Sequence, residues 1–277
     1  MNFLERLKNG WKIAKMSFQT INENRTLLLF PLISTISLIL VLLTFFGGIF
    51  LVVGDTITTL MDDALAGEIL GYALIFLYYL INYFIIVFFN AALIHCSIQI
   101  FNGKETSLGD GMSYATSKIG KILAWAVVSA TVGTILQAIY STGRVGEFVG
   151  SLIGGAWSIL TFFVVPIAIY EEKDVFGSIK ESFRIMKEKW GESLAGNFSF
   201  GIIRLIGILA GVGIFMLLQT ISLVLAGVIA AIVILFTLTI TAAAKTVFVA
   251  AVYNRVNDRD TGLFEGDALD GIFVSKR

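Results

Sequence analysis

Six long apolar runs alternate with short polar connections along the chain, at 27–53, 69–101, 119–140, 145–170, 194–218 and 221–254. Each offers at least the roughly 20 residues that a helix needs to cross about 30 Å of hydrocarbon. Backbone inside lipid has no water to bond to, so such runs close their own hydrogen bonds as helices. The pattern predicts an all-α fold, a polytopic membrane bundle of six transmembrane helices arranged as three hairpins. The second and sixth runs are longer than a bilayer requires and should tilt or project past the headgroups. Gln219 and Thr220 alone separate the last two runs, which implies a tight turn. Pro31 opens the first run, where its missing N–H costs little; Pro166 lies inside the fourth and should kink it.

The connections on one side have a helical period of their own. Near the N-terminus Phe3, Leu4, Leu7, Trp11, Ala14 and Phe18 form an apolar stripe, with Lys8, Lys12 and Lys15 opposite. After the fourth run Phe176, Ile179, Phe183, Met186 and Trp190 form a second stripe opposite Lys180, Arg184 and Lys187, and Asp174 is placed to cap its start. Such stripes describe amphipathic interfacial helices in the headgroup plane, anchored by Trp11, Phe176, Phe183 and Trp190. Packing beneath the bundle explains them equally well, and the two arrangements are compatible. A Ser-aromatic pair recurs in these segments, as Ser17-Phe18, Ser113-Tyr114 and Ser182-Phe183, each ahead of an odd-numbered run. The chain then reads as three units of surface helix plus hairpin. Taken whole, it is one membrane domain over 1–277: an interfacial helix in 1–26, the spans in 27–254, and a cytoplasmic tail in 255–277.

Charge sorts by side. Seventeen of the 20 Lys and Arg fall in the N-terminal segment, the connections after the second and fourth runs, and the tail. The opposite side holds Arg144 alone, with Asp55, Asp62, Asp63 and Glu68. This asymmetry predicts cytoplasmic N- and C-termini. Composition agrees with a lipid solvent: 57% of residues are hydrophobic and 14% charged, with a mean hydropathy of +0.87. A soluble domain carries about 25% charge. The 20 basic and 20 acidic residues cancel, and nothing indicates a nucleic-acid partner. The expected partners are the bilayer and, at the basic helix faces, anionic lipid headgroups. A homo-oligomer is compatible with the sequence.

The usual active-site constellations are missing, so the chain is expected not to be an enzyme, and no catalytic residue, metal ligand or cofactor is assigned. One His and one Cys leave no multi-histidine or multi-cysteine metal site. No Gly-rich phosphate loop precedes a Lys and Ser/Thr. No Asp or Glu sits deep in a run, against a carboxylate proton relay. His95 and Cys96 read as structural, and Asp258-Arg-Asp260-Thr-Gly262 lacks the acidic spacing of a calcium loop. Two features remain. Arg204 and Lys245 are cations well inside the fifth and sixth runs. An unpaired cation there costs about 2.5–3.5 kcal/mol on insertion scales. Each either snorkels to helix-end carbonyls or faces a hydrated cavity holding an anion or headgroup. The amides Asn82, Asn90, Gln137 and Gln219 form a row assigned to mid-membrane, where they bond between helices or line a polar pathway. Arg204, Lys245, Asn90 and Gln137 are the candidate ligand-binding residues.

Asp110-Gly-Met-Ser-Tyr-Ala115, followed by Trp125-Ala126 and Thr131-Val-Gly133, resembles a family of uncharacterised prokaryotic integral membrane proteins, a domain-of-unknown-function family. Leu29-Phe-Pro-Leu32, Phe88-Phe-Asn-Ala-Ala92, Thr161-Phe-Phe-Val-Val-Pro166 and Ser182 through Trp190-Gly-Glu192 extend the resemblance over nearly the whole chain. It implies a six-helix domain in a cell membrane, broadly similar to the membrane domain attached to some glycerophosphodiester phosphodiesterases. It carries over no catalytic or ligand residue. The expected function is that of a non-catalytic lipid-associated or scaffolding membrane protein; the alternative is a channel or transporter for a small solute or anion. A membrane-embedded enzyme acting on lipid fits worst.

Overall fold

The computed structural model describes residues 3–52, 64–171, 173–189 and 195–264. In chain order the helices are α1 (Phe3–Glu23), α2 (Leu29–Val52), α3 (Ala64–Phe101), α4 (Leu108–Ser117), α5 (Ile119–Tyr140), α6 (Arg144–Leu160), α7 (Val164–Tyr170), α8 (Val175–Lys189), α9 (Ala195–Leu218) and α10 (Leu223–Val256). Short 3-10 turns occupy Arg25–Leu28 and Gly262–Phe264. No strand occurs among the described residues. Among the described residues six stretches are long and apolar enough to cross a membrane: Arg25–Phe45, Gly67–Phe101, Ile119–Tyr140, Arg144–Tyr170, Phe200–Leu218 and Leu223–Val256. They coincide with the six apolar runs, and the protein is an all-α polytopic membrane bundle. Each successive pair of spans follows a shorter helix, α1, α4 or α8.

The fourth span is broken where a kink was expected. Helix α6 stops at Leu160, a turn occupies residues 161–163, and α7 restarts at Val164. Pro166 explains the position. It has no N–H for the Phe162 carbonyl four residues earlier, and its ring crowds that carbonyl. Pro166 therefore sits in the first turn of a new helix, and the regular pattern resumes when Ile167 N–H bonds Phe163 O at 3.1 Å.

The chain divides into two compact units. The first comprises Met1–Leu32, Ala92–Gly111 and Arg184–Arg277. Here α9 and α10 form a hairpin, and α1 packs on both. The turn is closed by its own side chains. The Ser222 hydroxyl accepts from Leu225 N–H at 3.3 Å, the Gln219 amide donates to Met216 O at 3.3 Å, and the Thr220 hydroxyl to Leu217 O at 3.3 Å. These bonds occupy groups that helix ends otherwise leave open. Gly207 brings the two backbones together, because a Cβ there would collide with the Thr237 side chain.

Helix α1 buries Ile13, Ala14, Ser17, Thr20 and Ile21, and leaves Trp11 exposed. The buried face is thus rotated from the stripe of large residues. Ser17 donates to Ile13 O and Thr20 to Met16 O, both at 3.0 Å, so these hydroxyls are satisfied within the helix and can be buried. Small residues also permit close packing.

Along α10 the surroundings change. Val224, Val228, Ile232 and Phe236 form an exposed apolar stripe, whereas Val247 to Asn254 are buried throughout. The excess length beyond a bilayer is encased in protein. Part of the casing is the start of the tail: Thr261 and Phe264 are buried, and the Phe264 ring meets Phe101 edge-on at 5.9 Å. Asn254 donates to Asp260 O at 2.6 Å, and the Asp260 carboxylate accepts from Gly262 N–H at 2.8 Å. Within the tail expected from residue 255 onward, the described residues up to Phe264 thus include a packed turn. The weak calcium-like segment is a turn.

The second unit comprises Ile33–Ala91 and Met112–Phe183. Helix α5 packs on α6 and α7. Trp125 stacks on Trp157 at 5.8 Å between ring centroids. The Tyr114 hydroxyl donates to Ile169 O at 2.9 Å, at the end of α7, and its ring stacks on Tyr170 at 5.6 Å.

Candidate functional site

Arg204 and Lys245 both belong to the first unit, on the two arms of the α9–α10 hairpin. Helical spacing places them on facing stripes. Arg204 is four residues after Phe200 and three before Gly207; Lys245 is four after Thr241 and three before Phe248. Phe200 meets Phe248 with ring centroids 6.0 Å apart, and Gly207 lies against Thr237. These two contacts fix the register. Opposite Arg204 lies a point near residue 242, so Lys245 is displaced by about 5 Å toward the open end of the hairpin. Both side chains are half-buried, and Arg204 Nε is buried without a hydrogen-bond partner. Neither α9 nor α10 contains an Asp or Glu.

Asn90 and Gln137 both belong to the second unit, where they do not meet each other. Gln137 Oε1 accepts from the Tyr79 hydroxyl at 3.4 Å, and Asn90 is eleven residues, about 16 Å, further along α3 than Tyr79. Two of the four amides assigned to mid-membrane stand at helix ends instead. Gln219 is past the end of α9 and Gln137 three residues from the end of α5. Asn82 donates to Tyr78 O of its own helix at 2.7 Å. Gln137 makes the cross-helix bond expected of such residues.

Among the anchors, Trp11 is 57% exposed and Phe176 72%, while Phe183 is 48% exposed. Trp190 lies outside the described residues, as do Asp55, Asp62 and Asp63. Lys12 and Lys15 are exposed alongside Trp11, and Lys180, Arg184 and Lys187 alongside Phe176 and Phe183. Helix α8 buries Ser178, Ser182, Ile185 and Met186 instead. Asp174 caps α8 as expected, its carboxylate accepting from Gly177 N–H at 2.9 Å. The Ser-aromatic repeat does not extend to environment: Ser17 and Ser182 are buried, but Ser113 is exposed. Ala115, two residues further on, occupies the buried position in α4.

Three titratable groups beside the spans are tuned by neighbours. Bonds from the Ser107 hydroxyl (2.7 Å) and backbone N–H (2.8 Å) hold the Asp110 carboxyl below its ordinary value. Together with the bond from Asp110 N–H to Ser107 Oγ at 3.2 Å they form a capping box at the start of α4. Burial pushes the Tyr114 phenol up. Lys173 is raised by its bond to Glu171 at 2.8 Å, against opposing burial, with a second carboxylate from Glu181 at 3.1 Å. The Ser107-x-x-Asp110 spacing is legible in the sequence as a cap; Tyr79 and Ser182 carry no such signal. Among the described residues no three His, Cys, Asp or Glu side chains converge for a metal.

The model of a family of unknown function, DUF6159, matches residues 69–264, and the chain belongs to that family. The match takes in the Phe88, Asp110, Thr161 and Ser182 motifs, excludes Leu29-Phe-Pro-Leu32, and ends on the packed Phe264. No curated protein and no solved structure matches the chain, so the likeness to the membrane domain of glycerophosphodiester phosphodiesterases has no support.

Proposed function

We propose that this member of the DUF6159 family is a non-catalytic membrane protein that works through lipid, with α1 and α8 seated in the headgroup layer of a cell membrane. One observation carries the reading. On α1 the exposed Trp11 stands beside exposed Lys12 and Lys15, while the other face of the same helix is packed on α9 and α10. A helix docked on one side and aromatic-basic on the other suits the boundary between acyl chains and anionic headgroups. Helix α8 repeats the arrangement with Phe176, Phe183, Lys180 and Arg184. The lysines and arginines of the connections support a cytoplasmic side for both termini and both helices. Transport is the weaker reading, because Asn82 donates to a carbonyl of its own helix and Gln219 to a carbonyl in the last turn of α9.

Spin labels at Trp11→Cys and Phe176→Cys, in a Cys96→Ser background reconstituted into vesicles, test the seating. The reading expects labels shielded from aqueous relaxation agents and reached by agents held at the headgroups. Labels as water-accessible as a free loop would overturn it. Protein-dependent anion or solute flux from the same vesicles would favour transport.

A further inference from the structure

We infer that the turn joining α9 to α10 lies inside the membrane leaflet opposite the N-terminus rather than in water, and that its apolar tip is a contact surface for acyl chains. Residues 205–244 contain no Asp, Glu, Lys, Arg or His, and the turn lies in the middle of this stretch. The side chains that stand out most are apolar: Leu217, Ile221 and Val224 are 76%, 75% and 77% exposed. In water such a surface is costly, whereas acyl chains solvate it. The α5–α6 turn is the contrast. It also follows an odd-numbered span and so lies on the same side, but exposed Arg144 and Glu147 flank it.

The backbone of the turn is equipped for lipid. A helix leaves its last four carbonyls without an intrahelical partner, and in hydrocarbon each needs another. In α9 all four are taken within the turn. Phe215 O accepts from Gln219 N–H at 2.9 Å and Leu218 O from Ile221 N–H at 3.0 Å. Met216 O accepts from the Gln219 amide and Leu217 O from the Thr220 hydroxyl, at 3.3 Å each. The polar side chains of the turn are thus spent on its own backbone, and Ser222 does the same for Leu225 N–H. Length agrees. The span Phe200–Leu218 has 19 residues, about 28 Å, against ~30 Å of hydrocarbon. A helix entering at Phe200 therefore ends short of the far headgroups. With α1 and α8 seated in the near headgroup layer, the protein then meets lipid of both leaflets through different elements.

Ile221→Cys and Val145→Cys, each in a Cys96→Ser background in vesicles, test the placement, because the two positions share a side and are 75% and 76% exposed. A membrane-impermeant maleimide is expected to modify position 221 at least ten-fold more slowly than position 145, with equal rates once the protein is denatured. A bimane fluorophore attached at 221 should be quenched by lipid carrying a nitroxide on its acyl chain. Equal maleimide rates in vesicles overturn the inference. So does a bimane shielded from both water-borne and acyl-chain quenchers, which would show the tip covered by protein. Where Ile221→Cys fails to fold, Val224→Cys takes its place. Ser222→Asp gives a second reading, because aspartate caps a helix as well as serine does and a turn in water would tolerate it. Here it should lower the folded yield in vesicles severalfold, and an unchanged yield overturns the placement. Water-exposed labels at positions 11 and 176 combined with a slow reaction at 221 would sink the headgroup seating and leave this inference standing.

Discussion

The backbone N–H of Phe163 donates to the hydroxyl of Ser182 at 3.1 Å, and both residues are fully buried. The bond joins the break in the fourth span to α8. Pro166 stops α6 and leaves a turn within an apolar span, where an unmatched N–H is costly. Ser182 supplies the acceptor. Ser182→Ala should destabilise the protein by about 1–3 kcal/mol, the usual cost of leaving a buried donor unsatisfied. Ser113→Ala, at the position aligned with it in the sequence repeat but exposed, should leave the unfolding midpoint in detergent unchanged. Equal effects of the two changes would refute this role for Ser182.

The spans were legible because lipid imposes a length and a composition that the chain displays openly; α5 and α9 end at Tyr140 and Leu218, where the apolar runs end. The interfaces were less legible. Helix α1 turns Ser17 and Thr20 inward and Trp11 outward, the reverse of what hydrophobicity alone suggests, since size and internal hydrogen bonding decide close packing. The amides at Gln137 and Gln219 look deep from the sequence because residue spacing gives no depth until the ends of helices are known. Arg204 and Lys245 were recognisable by charge, but their facing register needed the Phe200–Phe248 and Gly207–Thr237 contacts.

That register is itself testable. A side chain at Gly207 would strike Thr237, so Gly207→Val should cost about 1–3 kcal/mol through overpacking. Nothing lies within 4 Å of a Cβ at Gly213 on the same helix, and Gly213→Ala should be neutral or stabilising by up to about 1 kcal/mol. Thermal unfolding of the two variants in detergent separates them, and similar losses would contradict the close approach at Gly207.

The capping box at α4 predicts a pH dependence. Asp110 in the folded protein has its pKa lowered by the bonds from Ser107. Its contribution is therefore fully present above the ordinary carboxylate range and is lost as pH falls through the lowered folded value. At pH 7 the wild type should unfold at a higher temperature than Asp110→Asn. The gap should narrow as pH drops below about 4, the unperturbed aspartate value. A gap that stays constant to pH 2.5 would show that the carboxylate charge plays no part in the cap.

Phe264 gives the last test, because it is buried and is the last residue of the family match. Its ring is 1% exposed and meets Phe101 edge-on, near the end of α3. Gly262, at a φ of 57°, makes the turn that brings it there, and the Asp260 carboxylate holds the Gly262 N–H. Phe264→Ala should cost about 3–5 kcal/mol, as a buried aromatic does when it leaves a cavity. The neighbouring Leu263 is 41% exposed, and Leu263→Ala should change the unfolding midpoint little. If the two substitutions behave alike, the turn at 261–264 is an appendage and the encased end of α10 owes its burial to other elements, α1 and α9 among them. If they differ as expected, residues 255–264 belong to the folded core, since Asn254 and Asp260 would then be holding a ring in place rather than closing a loose end.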